Sequence, residues 1–471
     1  MKTIKFGTDG WRAEIGKDFT FDGVALVAQA LVQHIIETGA KDKPVVVGYD
    51  NRFLSEKFAA LAAEIVSSNG IKTLLFDSSV PSQLTAFATK TLNCSYGIMI
   101  TASHNPATWN GFKIKENYGG SAQPETTKKV EEQVKKIQEK NIPIKKGNLS
   151  NIEKINLKEK YFDQLKKIVD VNLIKTSKTK IIIDPMHGSS AGLLKEFLAR
   201  VGIEAIEIRG KRDPLFGGVN PEPLPINLEA LQEEVKEDEL NFGKNIVGIA
   251  CDGDGDRIGG MDETGEYLSS HNMFSLLLKH MVENKKLSGD VVKTFNISRL
   301  VTKQAQAYKR KLHEVPIGFK YIVKLLLSQD ILIGGEESGG IGIKGHIPER
   351  DGILCGLLLI ELLAKEGKPA RAILNDLMDQ FGYFYYNRID LHMDRQKIDA
   401  FINQLKNNPP KKIGGKNVAN IEDLDGIKLN FEDESWILFR ASGTEPLIRI
   451  YCEARTTQDV DLILGESQKL I

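Results

Sequence analysis

Three times along this chain a short apolar run rich in β-branched residues alternates with apolar residues at helical spacing, and each round contains a polar or glycine-rich loop at a strand end. That alternation restricts the fold more than any other feature, because strands apolar on both faces must be covered on both sides. In the first round Val45–Tyr49 ends at Asp50, and Phe58, Leu61, Ala62, Ile65 and Val66 recur at helical spacing up to Gly70. Residues 71–76 and Tyr96–Ile100 read as further strands. A charged helix follows with Val130, Val134 and Ile137 inward; Pro143 ends it, and 145–150 is polar enough to be a linker. The second round has strands at 181–184, 203–208 and Ile246–Cys251 around a helix at 191–201. The third has a helix from about His271, a strand at 291–295, a helix at 321–327 and a strand at 331–334. From about Tyr383 the pattern changes to strands at Ile427–Phe431, 436–439 and 447–452 with helices on either side. The expectation is an α/β chain of three successive α/β domains plus a C-terminal α+β domain, at 1–152, 153–262, 263–372 and 373–471.

Composition narrows the function. The 471 residues exceed one domain, and Lys plus Arg equals Asp plus Glu at 63 each, so a general nucleic-acid binder is disfavoured. Cys94, Cys251, Cys355 and Cys452 lie far apart and form no metal-ligand spacing, which reads as reduced thiols. The start, MKTIKFGTDG, carries no apolar signal core, and the most apolar stretch, 352–363, is short and contains Glu361. A cytoplasmic protein is expected, with no membrane or nucleic-acid partner.

Four loops carry the chemistry. Thr101-Ala102-Ser103-His104-Asn105-Pro106, with Lys113 beyond, presents a hydroxyl at a strand end beside an imidazole; an ordinary Ser-Asn-Pro turn explains it equally well. Asp252-Gly253-Asp254-Gly255-Asp256-Arg257 places three carboxylates at i, i+2 and i+4, which calls for a hard divalent cation with oxygen ligands. An EF-hand is excluded, since Arg257 stands where its turn glycine belongs. Gly334 to Gly340 sets Glu336, Glu337 and Ser338 on a glycine bed suited to a polyol. Arg440-Ala441-Ser442-Gly443-Thr444-Glu445-Pro446, with Arg449 beyond, forms a phosphate cradle.

Two motifs are decoys. Gly340-x-Gly342-x-x-Gly345 matches a dinucleotide fingerprint, but His346-Ile347-Pro348 follows where a helix should open. Gly188-x-Ser190-x-Gly192 matches a nucleophile elbow and keeps a serine hydrolase open as a rival, though it leaves the other loops unexplained.

The four loops in this order, with Gly7-Thr8-Asp9-Gly10-Trp11-Arg12 at the start, resemble the α-D-phosphohexomutase superfamily over the whole chain. The resemblance implies mixed sheets in a heart-shaped, four-domain chain around a central cleft. It implies that Ser103 is the phosphoserine nucleophile, that Asp252, Asp254 and Asp256 bind Mg²⁺ together with Ser103, and that Glu336 and Ser338 hold the sugar. Arg440, Ser442, Gly443, Thr444 and Arg449 would grip the unreacting phosphate. Arg12, His104, Lys113, Arg257 and Lys320 match positions around the transferring phosphate, and His346 matches the segment after the sugar loop. The implied reaction interconverts hexose 1-phosphate and hexose 6-phosphate, glucose first and mannose second, through a hexose 1,6-bisphosphate, in a monomer or homodimer. Where dual-specificity relatives often read Gly-Glu-Met-Ser-Gly-His, this chain has Glu337 and Gly340, which opens the choice of base to Lys113 or His346. A phosphoglucosamine mutase and a non-catalytic sugar-phosphate-binding paralogue remain alternatives.

Overall fold

The structure, a computed structural model, describes residues 4–242, 245–442 and 446–471. Four sheets follow one another along the chain. In the first, strands Tyr96–Ile100, Val45–Tyr49, Thr73–Phe76 and Ile152–Ile155 run parallel in that spatial order, and Trp109–Glu116 and Trp11–Glu14 extend the Tyr96–Ile100 edge antiparallel. The second repeats the plan: Ile246–Cys251, Lys180–Asp184 and Ala205–Glu207 are parallel, and Ile258–Met261 returns antiparallel. In the third, Leu312–Val315, Asp290–Thr294 and Ile331–Gly335 are parallel and Ile341–Ile343 returns. The last sheet has six strands, all antiparallel.

Three borders differ from the expected ones. Ile152–Ile155, past the polar stretch, completes the first sheet; Tyr267–Leu268 still belongs to the second; and the helix Ala370–Phe381 runs through the expected break after 372. Short edge strands carry too little apolar pattern to show in the letters. Ile152-Glu153-Lys154-Ile155 has only two apolar positions.

The helix Gly352–Glu366 explains the cohesion of the first three units. It is apolar around most of its girth and buried from Gly352 to Leu363, so it must be packed on every side. Asp351 caps its start by accepting from the Leu354 N–H, and Gly367, at φ 63, ends it. Around it one continuous core takes in Leu84 and Phe87 from the first unit, Ile249 from the second and Ile333 from the third. No described helix is long and apolar enough to cross a membrane.

The fourth unit has its own core around Ile437, Phe439, Ile448 and Ile450. It meets the third through a small seam of Phe295, Trp436, Leu438 and Tyr451. Lys428 is sealed in this seam, donating to the Phe295 carbonyl at 2.8 Å and lying 4.6 Å from the Phe295 and Trp436 ring centres. Burial, with Lys293 and Arg299 nearby against the opposing Glu314 and Glu422, pushes its ammonium down to about 7. The unfolded chain therefore binds this proton up to a higher pH than the folded one, so stability should rise with pH above about 7. Thermal melts of wild type and Lys428→Met from pH 6.5 to 9.5 check this: the variant should flatten the rise, and parallel curves would contradict it.

Candidate active site

All four sequence loops turn out to be hairpin connections. Residues 101–108 join Tyr96–Ile100 to Trp109–Glu116, and 252–257 join Ile246–Cys251 to Ile258–Met261. Residues 336–340 join Ile331–Gly335 to Ile341–Ile343, and the loop after Trp436–Ala441 leads to Leu447–Ala454. In the three α/β sheets each loop leaves the carboxyl end of a parallel strand, where open α/β sheets bind ligands.

The first two loops interlock. Gly253 passes so close to the first loop that a Cβ on it would lie 2.6 Å from the Ser103 carbonyl oxygen. Ser103 itself is buried and holds φ at 55°, a left-handed conformation that costs a non-glycine residue energy. The result is an Oγ 2.8 Å from Asp252 Oδ2 and 3.4 Å from His104 Nδ1. Asp252, Asp254 and Asp256 each present a carboxylate oxygen within 4.8 Å of the others, all fully buried. Asp254 Oδ1 and Asp256 Oδ1 are buried with no hydrogen-bond donor. Such atoms are costly unless a cation meets them, and an all-oxygen donor set suits a hard divalent ion. Burial and the repulsion of Asp254 and Asp256 push the Asp252 carboxyl well above its ordinary range.

Lys113 supplies part of the compensating charge. Register places it on Trp109–Glu116 opposite Met99, and its Nζ lies 2.8 Å from Asp254, 2.8 Å from Asp9 and 3.5 Å from Asp256. With three carboxylates around it, the ammonium is built to neutralise charge. Burial opposes the charged form, but Asp254 and Asp9 hold its pKa above the ordinary lysine value.

Above this buried layer opens a cavity of about 360 Å³. Its lining draws on all four units: Arg12 and His104 from the first, Arg257 from the second, Lys320, Glu336 and Ser338 from the third, Arg440 and Arg449 from the fourth. Among the described residues eight Lys and Arg side chains line it against five Asp and Glu, although the chain as a whole is neutral. That local excess is what a doubly phosphorylated ligand requires. Arg12 donates to the Ala102 carbonyl at 3.2 Å and to Asn105 Oδ1 at 2.9 Å, so it braces the Ser103 loop from the cleft side. Burial, then the cations Arg257 and Arg12, hold the His104 ring well below its ordinary pKa.

The remaining expected residues divide. Ser442 is buried at the base of the fourth loop, while Gly443 and Thr444 lie outside the described residues. His346 departs from expectation: its Nε2 is 3.0 Å from Asp351 Oδ2, its side chain is buried, and it is not part of the cleft lining. Tyr161 donates to the same carboxylate at 2.8 Å, so His346 belongs to the cluster that anchors the Gly352–Glu366 helix. Ser190 is buried, and among the described residues no histidine bonds its hydroxyl, which counts against the hydrolase reading.

Sequence reasoning passed over several residues of the cleft. Arg350 reaches Asp9 at 2.6 Å, Asp256 at 2.8 Å and Glu336 at 3.5 Å, tying the Glu336 loop to the aspartate loop. Its signal was present, four residues after His346 in the same segment. In the fourth unit Arg388 pairs with Glu337 at 3.2 Å and Asp390 at 3.1 Å, and Asp390 lies 3.4 Å from Arg449. Glu337 also accepts from Tyr386 at 2.8 Å, so the glutamate that departs from the dual-specificity pattern faces the fourth unit.

Comparison with known proteins agrees with this geometry. The family models for phosphoglucomutase/phosphomannomutase match in chain order: alpha/beta/alpha domain I at 3–141, domain II at 159–265, domain III at 269–381 and the C-terminal domain at 395–466. A crystal structure of a protein from Thermus thermophilus, assigned as a phosphomannomutase, is 33% identical with a TM-score of 0.88, covering 99% of each chain. A Methanosphaera stadtmanae protein assigned as a phosphoglucosamine mutase is 30% identical over 98% of this chain and 97% of its own. A phosphoglucomutase/phosphomannomutase of Thermococcus kodakarensis is 29% identical over 99% and 98%. Sequence, fold and cleft thus agree, and the chain belongs to the phosphoglucomutase/phosphomannomutase family of the α-D-phosphohexomutase superfamily, whose members are intramolecular phosphotransferases.

Proposed function

We propose that this chain interconverts hexose 1-phosphates and hexose 6-phosphates, glucose first and mannose second, through a phosphoserine at Ser103 and a hexose 1,6-bisphosphate. The observation that carries this reading is the strained, buried Ser103 with its Oγ against Asp252, under a cleft with a cationic excess. Phosphoryl transfer asks a protein for alignment and charge neutralisation more than for covalent chemistry. Asp252, Asp254 and Asp256 would hold Mg²⁺ with a Ser103 oxygen, and the ion when bound offsets charge at the phosphoryl group. Lys113 and Arg12 neutralise charge that spreads over the equatorial oxygens. The P–Oγ bond of phosphoserine breaks as the sugar hydroxyl forms its bond to phosphorus, and the proton that hydroxyl loses ends on the freed Ser103 Oγ. The bisphosphate then reverses in the cleft and returns its other phosphoryl to Ser103. Arg440, Ser442 and Arg449, with Gly443 and Thr444 by resemblance, grip whichever phosphate is not reacting. His346, tied to Asp351, drops out as a base, and Lys113, donating to three carboxylates, serves as a neutralising ammonium. The four buried thiols support a reducing compartment, the cytoplasm.

Substrate choice follows from the sugar loop. Glu336 and Ser338, from one short turn, reach only adjacent ring hydroxyls, which by family resemblance are O3 and O4. Glucose and mannose present these alike and differ at C2, so both should react, glucose better. Galactose 1-phosphate, inverted at C4, should be much poorer because it leaves a buried partner unpaired. Glu336→Gln should depress kcat/KM for glucose and mannose 1-phosphate by similar factors; an effect confined to one of them, or equal rates for galactose and glucose, contradicts this account. The names of relatives put glucosamine 1-phosphate in the same panel. A non-catalytic paralogue would bind these ligands without chelator-sensitive turnover.

A further inference from the structure

The strand Val45–Tyr49 pairs in parallel with Tyr96–Ile100, Tyr49 opposite Ile100, so the two strands release their loops side by side. One loop carries Ser103. The other begins Asp50-Asn51-Arg52, and Arg52 runs beneath its neighbour with none of its side chain exposed. Its Nη2 donates to the carbonyls of Ser103 and Asn105, both at 2.6 Å. Its Nη1 donates to those of Pro106 at 2.7 Å and Trp109 at 3.1 Å. Asp50 Oδ2 faces Nε at 3.2 Å, while Asp50 Oδ1 accepts from the Arg52 backbone N–H at 3.0 Å and from Ser55 Oγ at 2.6 Å. The ring of Phe216, from the second unit, closes the guanidinium off at 4.9 Å.

A buried charge is expensive, and an apolar side chain of the same volume would fill the space at less cost. What an apolar side chain cannot do is bind three carbonyls of one loop together with that of Trp109, where the next strand begins. The planar guanidinium fork does this, and a lysine point charge does not. The loop needs such a partner, since a serine at φ 55° persists only where its surroundings over-determine it. The adjoining Asn51 extends the hold to the metal loop. Its Nδ2 donates to the carbonyls of His187 at 2.9 Å and Gly188 at 2.8 Å, and the next residue, Ser189, bonds through its N–H to the Gly253 carbonyl at 3.0 Å.

We propose that Arg52 is a positioning residue that clamps the Ser103 loop and, with Asn51, fixes its spacing from the aspartate loop; this rests on Ser103 being the phosphoryl acceptor. Arg52 touches neither substrate nor the reacting atoms, so its loss should act on the chemical step. On the full-length chain, Arg52→Ala should lower kcat for glucose 1-phosphate on the order of 100-fold while leaving KM little changed. Millimolar guanidinium chloride should restore part of that loss, and the same concentration of tetramethylammonium chloride should not. Hydrogen exchange should accelerate in 101–110 and stay slow in Val45–Tyr49 and Tyr96–Ile100. Arg52→Lys retains the buried charge if the alanine variant does not fold. It should show the same kcat loss and loosened loop, without guanidinium rescue.

A rise in KM with kcat kept would overturn the clamp. So would exchange accelerating through the whole first sheet, or a loop as protected as in wild type. Wild-type protein without turnover on any hexose phosphate, alongside a variant loop that loosens alone, would sink the mutase reading and keep the clamp. Normal wild-type turnover with variants of unchanged kcat would do the reverse.

Discussion

Ser103→Ala is expected to lower mutase turnover on the order of 10⁴-fold or more while the protein stays folded. On the proposed reading Ser103 is the acceptor: its hydroxyl points at Asp252, whereas Ser190 is buried and, among the described residues, has no histidine on its hydroxyl. Alanine tolerates the φ of 55° about as poorly as serine does, so the strain is unchanged and the fold should not suffer for it. The check is kcat with glucose 1-phosphate and a trace of glucose 1,6-bisphosphate, beside circular-dichroism melts of both proteins. Turnover within tenfold of wild type from a folded variant would remove Ser103 from the mechanism.

The second large effect is at Asp254. Its Oδ2 is held by Ser82 Oγ at 2.5 Å and by Lys113 at 2.8 Å, which leaves Oδ1, without a hydrogen-bond donor, for an ion. Asparagine keeps the shape and removes the negative charge. It also takes from Lys113 one of the two carboxylates at 2.8 Å, with Asp9 left to hold it. Mg²⁺ affinity by calorimetry should weaken markedly, and kcat/KM should fall on the order of 10² to 10³ even at high Mg²⁺, as when a preorganised electrostatic group is lost. Unchanged Mg²⁺ binding in a folded Asp254→Asn protein would contradict the assignment of the aspartate loop.

The site was legible where its chemistry is local in the chain. Three aspartates at alternate positions bring their own electrostatic problem with them, and a strand running into Ser-His-Asn-Pro shows where a ligand can sit. What stayed hidden is chemistry assembled across the chain. Asp9 and Arg350 are 341 positions apart and 2.6 Å apart in space, and nothing in either neighbourhood announces the other. Arg52 was hidden for a different reason, since its partners are backbone carbonyls, which have no letter. His346 misled because a histidine in a polar segment reads as chemistry, whereas a buried carboxylate, Asp351, claims it for structure. The fold was legible as alternation, but the antiparallel returns after the aspartate loop and the Glu336 loop were not, because Ile258–Met261 and Ile341–Ile343 are too short and glycine-rich to show a strand pattern.

The central claim is that the phosphoryl group resides on Ser103 between half-reactions. Intact-mass measurement with peptide mapping tests it directly, on protein incubated with glucose 1,6-bisphosphate and then chased with glucose 1-phosphate in excess. The account predicts one added phosphate, mapped to Ser103 in the peptide containing 101–106, and its transfer to sugar bisphosphate during the chase. Protein that gains no phosphate while turning over substrate, or a phosphate mapped to Ser190 or any other residue, would contradict it.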